Sequence, residues 1–541
     1  MLAVAAGAAA AGAGAPPDWS RFRGPNGSGV SSATGVPTEF GPARNLVWRL
    51  PVPQGHSSPV LLDDRIYLTG FRGGGLVTLA IDRTSGRVVW DRPAPAAKVR
   101  NVDKRNNPAS PSPALEPNGV FVFFPDYGLL AYDGAGRQRW SMPLGPFSNI
   151  YGMGASPIIV GDLVVLVCDQ SIGSFIMAVD KRSGRVKWRT ERPEARSGHS
   201  TPIVWRGADG RDQIVVPGSF LLTSYDAATG RKLWWVRGLS FEMKSTPVVG
   251  GDTIYVNGYG APVNDPGNKV DVPPAEEVWK SADTNGDKAL SKTEFPKYTP
   301  AFWFDVADLD ANGTLTPAEW NYYRAALDSE NGMLAIRLGG SGDMTDTAVR
   351  WKYQRSVPQL PSPLLYEGVL YMVNDNGIIT TLNPETGALI KQGRLTGALG
   401  PHFASPVAAD GRIFFTTEAG AIVVVAPGGD FVPLAINELG EDAYATPAFA
   451  DGRVYVRTSA ALYAFGARLG IAKIAKIANI AKIANARGTF TTRAARTFPV
   501  AVTGPQNVGN LGNFGNEQAS VRVSPEGVTG DAQFSASRRA Q

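Results

Sequence analysis

Short aliphatic runs separated by turn residues recur along the chain from Leu46 to Phe465. A Ser/Thr-Pro step opens each set of runs, with its Pro at 59, 113, 157, 202, 247, 363, 406 and 447. The steps are 41 to 54 residues apart except for one of 116, which marks an insertion. Each Pro leads into a β-branched or aliphatic run such as Pro157-Ile-Ile-Val, and a second run follows a turn, as in Arg65-Ile-Tyr-Leu and Arg453-Val-Tyr-Val. The third run ends in Asp-x-x-(x)-Gly and the fourth in Trp: Asp82…Gly86…Trp90, Asp133…Gly136…Trp140, Asp180…Gly184…Trp188 and Asp226…Gly230…Trp234. Asp bonds the backbone of a tight turn, Gly supplies a positive φ, and Trp covers the outer edge with a large ring. Asn383…Gly387 repeats the turn with Lys391 in the Trp position. Four strands repeated eight times at this spacing predict an all-β, eight-bladed propeller over residues 19–466. The last set stops at Leu462-Tyr-Ala-Phe465 after three strands, and Leu46-Val-Trp48-Arg supplies the missing fourth. An N-terminal strand is therefore expected to close the ring and remove its open edges.

Composition agrees with this reading and removes alternatives. The 541 residues hold 62 Gly, 41 Pro and 12 Trp, with 43% apolar and only 19% charged, which excludes wholesale disorder. The single Cys168 excludes an internal disulfide framework and a Cys-based zinc site. The net charge of +5 is unevenly spread: residues 467–541 carry +7, so the body carries −2 and offers no basic face for nucleic acid. No run of about 18 apolar residues follows the N-terminus, so no transmembrane span is predicted. Residues 1–18 include the Ala/Gly-rich stretch 2–15, which reads as an export signal without the usual leading cation and places the protein in the periplasm or outside the cell. Residues 467–541 contain a strict Ile-Ala-Lys/Asn triplet that leaves no apolar stripe on a helix, and are expected to form a low-complexity, disordered tail.

The insertion, residues 271–330, is acidic, with 12 Asp/Glu against 5 Lys/Arg. Two twelve-residue windows in it fit the EF-hand loop. Oxygen ligands fall at Asp283, Asn285, Asp287, the Ala289 carbonyl, Ser291 and Glu294 in the first, and at Asp308, Asp310, Asn312, the Thr314 carbonyl, Thr316 and Glu319 in the second. Calcium takes six to eight oxygens without strict geometry, and three carboxylates per loop outweigh its charge. Two calcium sites are expected, the second stronger, because it has Gly313 at the sharp-turn position where the first has Lys288. The insertion leaves blade five after its second strand and returns at its third. It should therefore sit on the face where chain passes from blade to blade. Three residues before each repeat Pro stand His56, Ser110, Gly154, His199, Lys244, Leu360, Phe403 and Tyr444, which should ring the mouth of the central channel. His56, His199, Lys244, Phe403 and Tyr444, with the neighbouring His402, are candidates to receive a small polar ligand there.

The Ala-x-Asp-x-x-x-Gly-x-x-x-Trp signature, Ala80 to Trp90 and Ala178 to Trp188, resembles the repeat of quinoprotein-like eight-bladed propellers. That family includes dehydrogenases dependent on pyrroloquinoline quinone (PQQ) and the non-catalytic outer-membrane assembly factor BamB. The Trp19 to Gly29 stretch resembles the leader of exported propellers of the same kind. The resemblance implies the fold over about 19–466 and leaves activity open. Dehydrogenases of the family carry adjacent cysteines at the cofactor, and this chain has only Cys168 in an aliphatic strand. No catalytic residue is assigned, since the sequence holds no nucleophile–base spacing and only three His. The expected function is an exported, non-catalytic scaffold that binds calcium and meets a protein partner or small ligand at the channel face. The alternative is a PQQ-dependent oxidoreductase acting on alcohols or sugars.

Overall fold

A computed structural model describes residues 19–100, 102–268, 270–297 and 303–467. The expected leader, and the expected tail beyond Ala467, lie outside the described residues. Eight antiparallel sheets of four repeat-derived strands make the eight blades. Blade one runs Val60–Leu62, Arg65–Arg72, Gly75–Asp82 and Val88–Pro93; blade eight takes Ala448–Ala450, Arg453–Arg457 and Ala461–Gly466 from the end of the chain. Its fourth strand is Leu46–Pro51, antiparallel to the third, with Trp48 opposite Ala464 and Pro51 opposite Ala461. The ring is closed by the N-terminal strand.

The repeat motif works between blades as well as within them. The outer-strand Trp sits at a β-bulge opposite a small residue: Trp90 opposite Ala80, Trp140 opposite Ala131, Trp188 opposite Ala178. Its ring lies on the turn glycine of the next blade, so a Cβ added to Gly86 would fall 2.6 Å from Trp48, and one on Gly136 2.6 Å from Trp90. The indole N–H donates to a carbonyl of that same turn: Trp48 to Arg83, Trp90 to Gly134, Trp140 to Lys181, Trp188 to Ala227. Trp351 of blade five docks in this way on Gly387 and donates to Pro384. Lys391, which stands where blade six lacks a Trp, does the same work by other means. Its Nζ donates to the Asp430 carbonyl at 2.9 Å and lies 4.7 Å over the Phe431 ring of blade seven.

The Ser/Thr of each Ser/Thr-Pro step builds an inner ring. Each hydroxyl accepts the peptide N–H of the equivalent residue one blade back: Ser58 to Ser112, Ser112 to Ser156, Ser156 to Thr201, Thr246 to Ser362, Ser362 to Ser405, Ser405 to Thr446, and Thr446 back to Ser58, all at 2.9–3.1 Å. Among the described residues the link from Thr201 to Thr246 is not made, and Thr246 Oγ1 has no hydrogen-bond partner. Beneath this ring the channel is filled by the protein's own Trp19–Gly29 segment. Trp19 O and Ser20 O accept from Leu61 and Leu115, in blades one and two. Asn26 exchanges two side-chain bonds with Val204 in blade four. Arg23 is fully buried and donates to the Pro363 and Pro406 carbonyls of blades six and seven. Burial with no acidic partner lowers its guanidinium to about 9. Val30–Ser31 then adds a parallel strand inside blade seven.

The interblade fit predicts a paired outcome. Both Gly86 and Gly73 hold positive φ, but a Cβ on Gly73 meets nothing within 4 Å. Gly73→Ala should lower unfolding free energy by about 1 kcal/mol from backbone strain alone. Gly86→Ala must also displace the Trp48 ring and should cost roughly 2–4 kcal/mol in urea unfolding. Equal costs would show that the ring does not depend on this contact.

Candidate functional site

The chain leaves blade five after Thr253–Gly258 and returns as Gly332–Arg337, its hydrogen-bonded neighbour. Between them lie helices Ala275–Ala282, Trp303–Ala307 and Pro317–Asp328. Their core contains the buried Leu290, Leu315, Phe295, Trp303, Phe304 and Trp320. Leu290 and Leu315, at the eighth position of the two windows, pair antiparallel in a two-residue ladder. The helices stand against the propeller: Tyr322 meets Phe220 edge-on at 5.4 Å, Arg196 lies 5.0 Å over the Tyr322 ring, and Phe241 meets Trp303 at 6.0 Å.

In the second window the carboxylate oxygens of Asp308, Asp310 and Glu319 lie within 4.8 Å of one another. Asp308 accepts from the Asn312 and Gly313 amides, and Asn312 accepts from the Thr314 amide and hydroxyl. Glu319 is buried, accepts from the Leu309 amide and from Thr316, and caps the helix that begins at Pro317. The Asp308 carboxyl is raised above its usual range by burial, with its acidic neighbours adding to the shift. The first window is arranged differently. Asp283 accepts from Gly286 and Lys288, Asn285 and Asp287 bond each other, and Ala289 N–H donates to Asp287. Glu294 accepts from Ser291 and Thr284, which hold it down at about 2. Among the described residues its carboxylates form no converging group of three.

The backbone changes the argument for ranking the windows. Lys288 has φ 68°, the left-handed conformation its position demands, but Ala311 in the second window has φ 56°. Each window thus holds one non-glycine residue left-handed, so Gly313 alone does not separate them. Convergence of the carboxylates does.

A second site lies at the channel mouth, a cavity of about 180 Å³. All eight residues three before the repeat Pro line it, together with Phe22 of the plug and with Ser58, Thr201 and Thr246. His402 is absent from the lining; it is buried, with Nδ1 3.1 Å from the Gly400 carbonyl. His56 stacks on Tyr444 with centroids 4.3 Å apart, and Tyr444 is stacked with Phe403 at 5.5 Å. Loops missed by the strand pattern add Asp103, Arg105, Asn106 and Tyr151. Arg105 is bound to both Asp103 oxygens at 2.7 and 3.1 Å. Lys244 is bound to the buried Glu242, which also borders the helical insertion. No sequence signal of the repeat pointed to these loops, because they fall between repeats and match nothing from blade to blade.

The architecture is that of an eight-bladed propeller with a quinoprotein-type repeat. A family model described as outer membrane protein assembly factor BamB matches residues 42–175, 173–299 and 325–470, and the chain belongs to that family. No curated protein matches the chain. Among solved structures, a europium-containing methanol dehydrogenase is similar at 9% identity and TM-score 0.51, over 81% of this chain and 96% of that one. The quinohemoprotein alcohol dehydrogenase of Comamonas testosteroni follows at 12% and 0.50, over 84% and 82%. BamB of Moraxella catarrhalis is at 13% and 0.49, over 78% and 99%. The likeness to the two dehydrogenases shows the fold alone. No helix among the described residues is long and apolar enough to cross a membrane.

All three histidines are held neutral: burial lowers His56 and His402 to about 4 and His199 to about 3, with Arg457 adding to the shift at His56 and Lys244 at His199. An unfolded His binds its proton near 6.5. Their contribution to stability is therefore complete above pH 6.5 and is lost as pH falls from there toward 4. Urea midpoints measured from pH 7 to 4.5 should fall, and His402→Gln should flatten that fall. An unchanged slope would contradict neutral burial of this ring.

Proposed function

We propose that this protein is a calcium-binding, non-catalytic propeller of the cell envelope, exported to the periplasm or beyond, which meets a partner or small ligand at the channel-mouth face. The observation that carries the calcium reading is the meeting of Asp308, Asp310 and Glu319 oxygens within 4.8 Å on a loop whose eighth residue pairs with that of a second such loop. Three carboxylates brought this close repel one another unless a cation lies between them. Oxygen-only donors suit calcium, a hard ion, and Asn312, the Thr314 carbonyl and Thr316 complete the set. The second loop is the stronger site. Bound calcium would tie the first turn of the Pro317–Asp328 helix to the loop before it, and that helix carries Tyr322 against the propeller.

Membership of the assembly-factor family supports a binding role, and so does the cavity at the channel mouth. The quinone fits poorly. PQQ is a tricarboxylate, whereas Arg105 and Lys244 are each engaged by an acid and Asp375 stands in the adjoining cleft. Cys168 is buried in blade three with no second cysteine.

Calorimetry should register calcium uptake with a stronger event of Kd about 10⁻⁵ to 10⁻³ M. Glu319→Gln should abolish that event, and Glu294→Gln should spare it. At a hundredfold excess over Kd, calcium should raise stability by about 2.7 kcal/mol over the chelated protein. Absence of uptake, or uptake indifferent to Glu319→Gln, would remove the calcium reading. A quinone absorbance band with dye reduction on adding PQQ, calcium and an alcohol or sugar would replace the scaffold by the enzyme.

A further inference from the structure

The mouth cavity shares Arg105, Phe403 and Tyr444 with a neighbouring cleft of about 370 Å³. The cleft adds two carboxylates, Asp375 and Glu418, and the exposed Lys104. The two acids occupy one repeat position. Each follows the second strand of its blade, six or seven, and stands two residues before a glycine held at positive φ, Gly377 or Gly420. Asp126 holds the same position in blade two, before Gly128. There the acid binds a guanidinium of its own chain, Arg100 Nε donating to Asp126 Oδ1 at 2.8 Å. In blade three Asp169, the first residue after the second strand, likewise takes Arg192 through both oxygens at 2.7 and 2.9 Å. Blades six and seven present the acid without the arginine.

Asp375 accepts from the Gln359 amide at 3.1 Å and Glu418 Oε1 from the Tyr444 hydroxyl at 2.8 Å, and among the described residues neither forms an ion pair. Burial raises the Asp375 carboxyl, the opposite of what a bound cation does. The arginines and the lysine of the mouth are spent elsewhere: Arg105 on Asp103, Lys244 on Glu242, Arg394 on the Asn376 carbonyl, and Arg457 on the Ser57 and Pro53 carbonyls. Beside the two acids stand Phe403 and Tyr444, 3° from parallel, and the bond from Tyr444 to Glu418 fixes a carboxylate at the edge of that pair of rings. A carboxylate adjoining flat rings suits a guanidinium better than an ammonium. The guanidinium is planar, forks onto a carboxylate, stacks on an aromatic face and is the more weakly hydrated of the two.

We propose that the cleft beside the mouth receives a guanidinium from outside the chain, paired with Asp375 and Glu418 and set against Phe403 and Tyr444. Its source is an arginine side chain of a protein partner or a small guanidine, and the cleft has room for either. The proposal rests on the reading of the mouth as a binding face and names what that face takes; it is independent of the calcium loops.

The test uses the full chain in calcium buffer and four probes: acetyl-arginine amide, acetyl-citrulline amide, which replaces the guanidinium by a neutral urea of the same shape, acetyl-lysine amide and ethylguanidine. Titrations followed by saturation transfer to the probe should show saturable binding of the arginine amide, at least tenfold tighter than the citrulline or lysine amide. Glu418→Gln and Asp375→Asn, which keep side-chain shape, should each weaken it tenfold or more, and Lys104→Gln should not weaken it. Ethylguanidine binding as tightly as the arginine amide supports a small guanidine; tighter binding of the arginine amide supports a partner's arginine. Citrulline amide binding equally well overturns the charge pairing, and lysine amide binding equally well overturns the choice of guanidinium. Weakening by Lys104→Gln, or indifference to both acid substitutions, overturns the assigned residues. No saturable binding of either guanidine to the unmodified protein overturns the site, and that result stands even if a variant does not fold. Calcium uptake and PQQ turnover are read separately on the same sample, so failure here is distinct from failure of the calcium-binding scaffold.

Discussion

A propeller blade cannot stand alone, because both faces of its sheet are apolar and each needs a neighbour. Everything else in this molecule depends on the ring being complete, and completion rests on Leu46–Pro51 pairing with Ala461–Gly466. That pairing joins the two ends of the repeat region. It also brings Trp48 onto Gly86, so the closing strand supplies the eighth blade with the same docking ring that blades one, two, three and five use on their neighbours. The channel mouth, the plugged lumen and the platform for the helical insertion exist only once that strand is in place.

Much of this was legible because it repeats. A Ser/Thr-Pro step, an Asp…Gly turn and a Trp at fixed spacing identify strands, and the missing last strand has one visible replacement. What the repeat means physically was less legible. The glycine was read as a turn requirement, which its φ of 72° supports, yet it is also the seat for a tryptophan one blade back. Lys391 looked like a defect and is a substitute, since a long amine can reach the same kind of carbonyl as an indole N–H. The hydroxyl before each Pro marked a strand opening, and its bond to the adjacent blade became visible only with the blades side by side. The plug could not be found by periodicity at all, because Trp19–Gly29 occurs once and bonds to residues up to 383 positions away.

The functional residues divide in the same way. The two calcium-type windows are contiguous in sequence, so ligand positions could be counted directly, although the left-handed Ala311 was invisible to counting and changes how the windows compare. The mouth residues came from position in the repeat, and all eight reach one cavity. His402 did not, because it sits one residue off the repeat phase and its ring points into the fold. Tyr151 and Asp103 belong to irregular loops and carry no phase to read. Glu242 lies between the two sites, bonded to Lys244 on one side and facing the helical insertion on the other.

The segment that fills the lumen has a further consequence. A toroid open at both ends would present two equivalent entrances; here one end is stoppered from within by a segment whose Arg23 clasps the carbonyls of two blades. The disc is therefore a cup, and any visitor must arrive and depart by the same rim. Sidedness of this kind gives an otherwise near-symmetric object a front and a back.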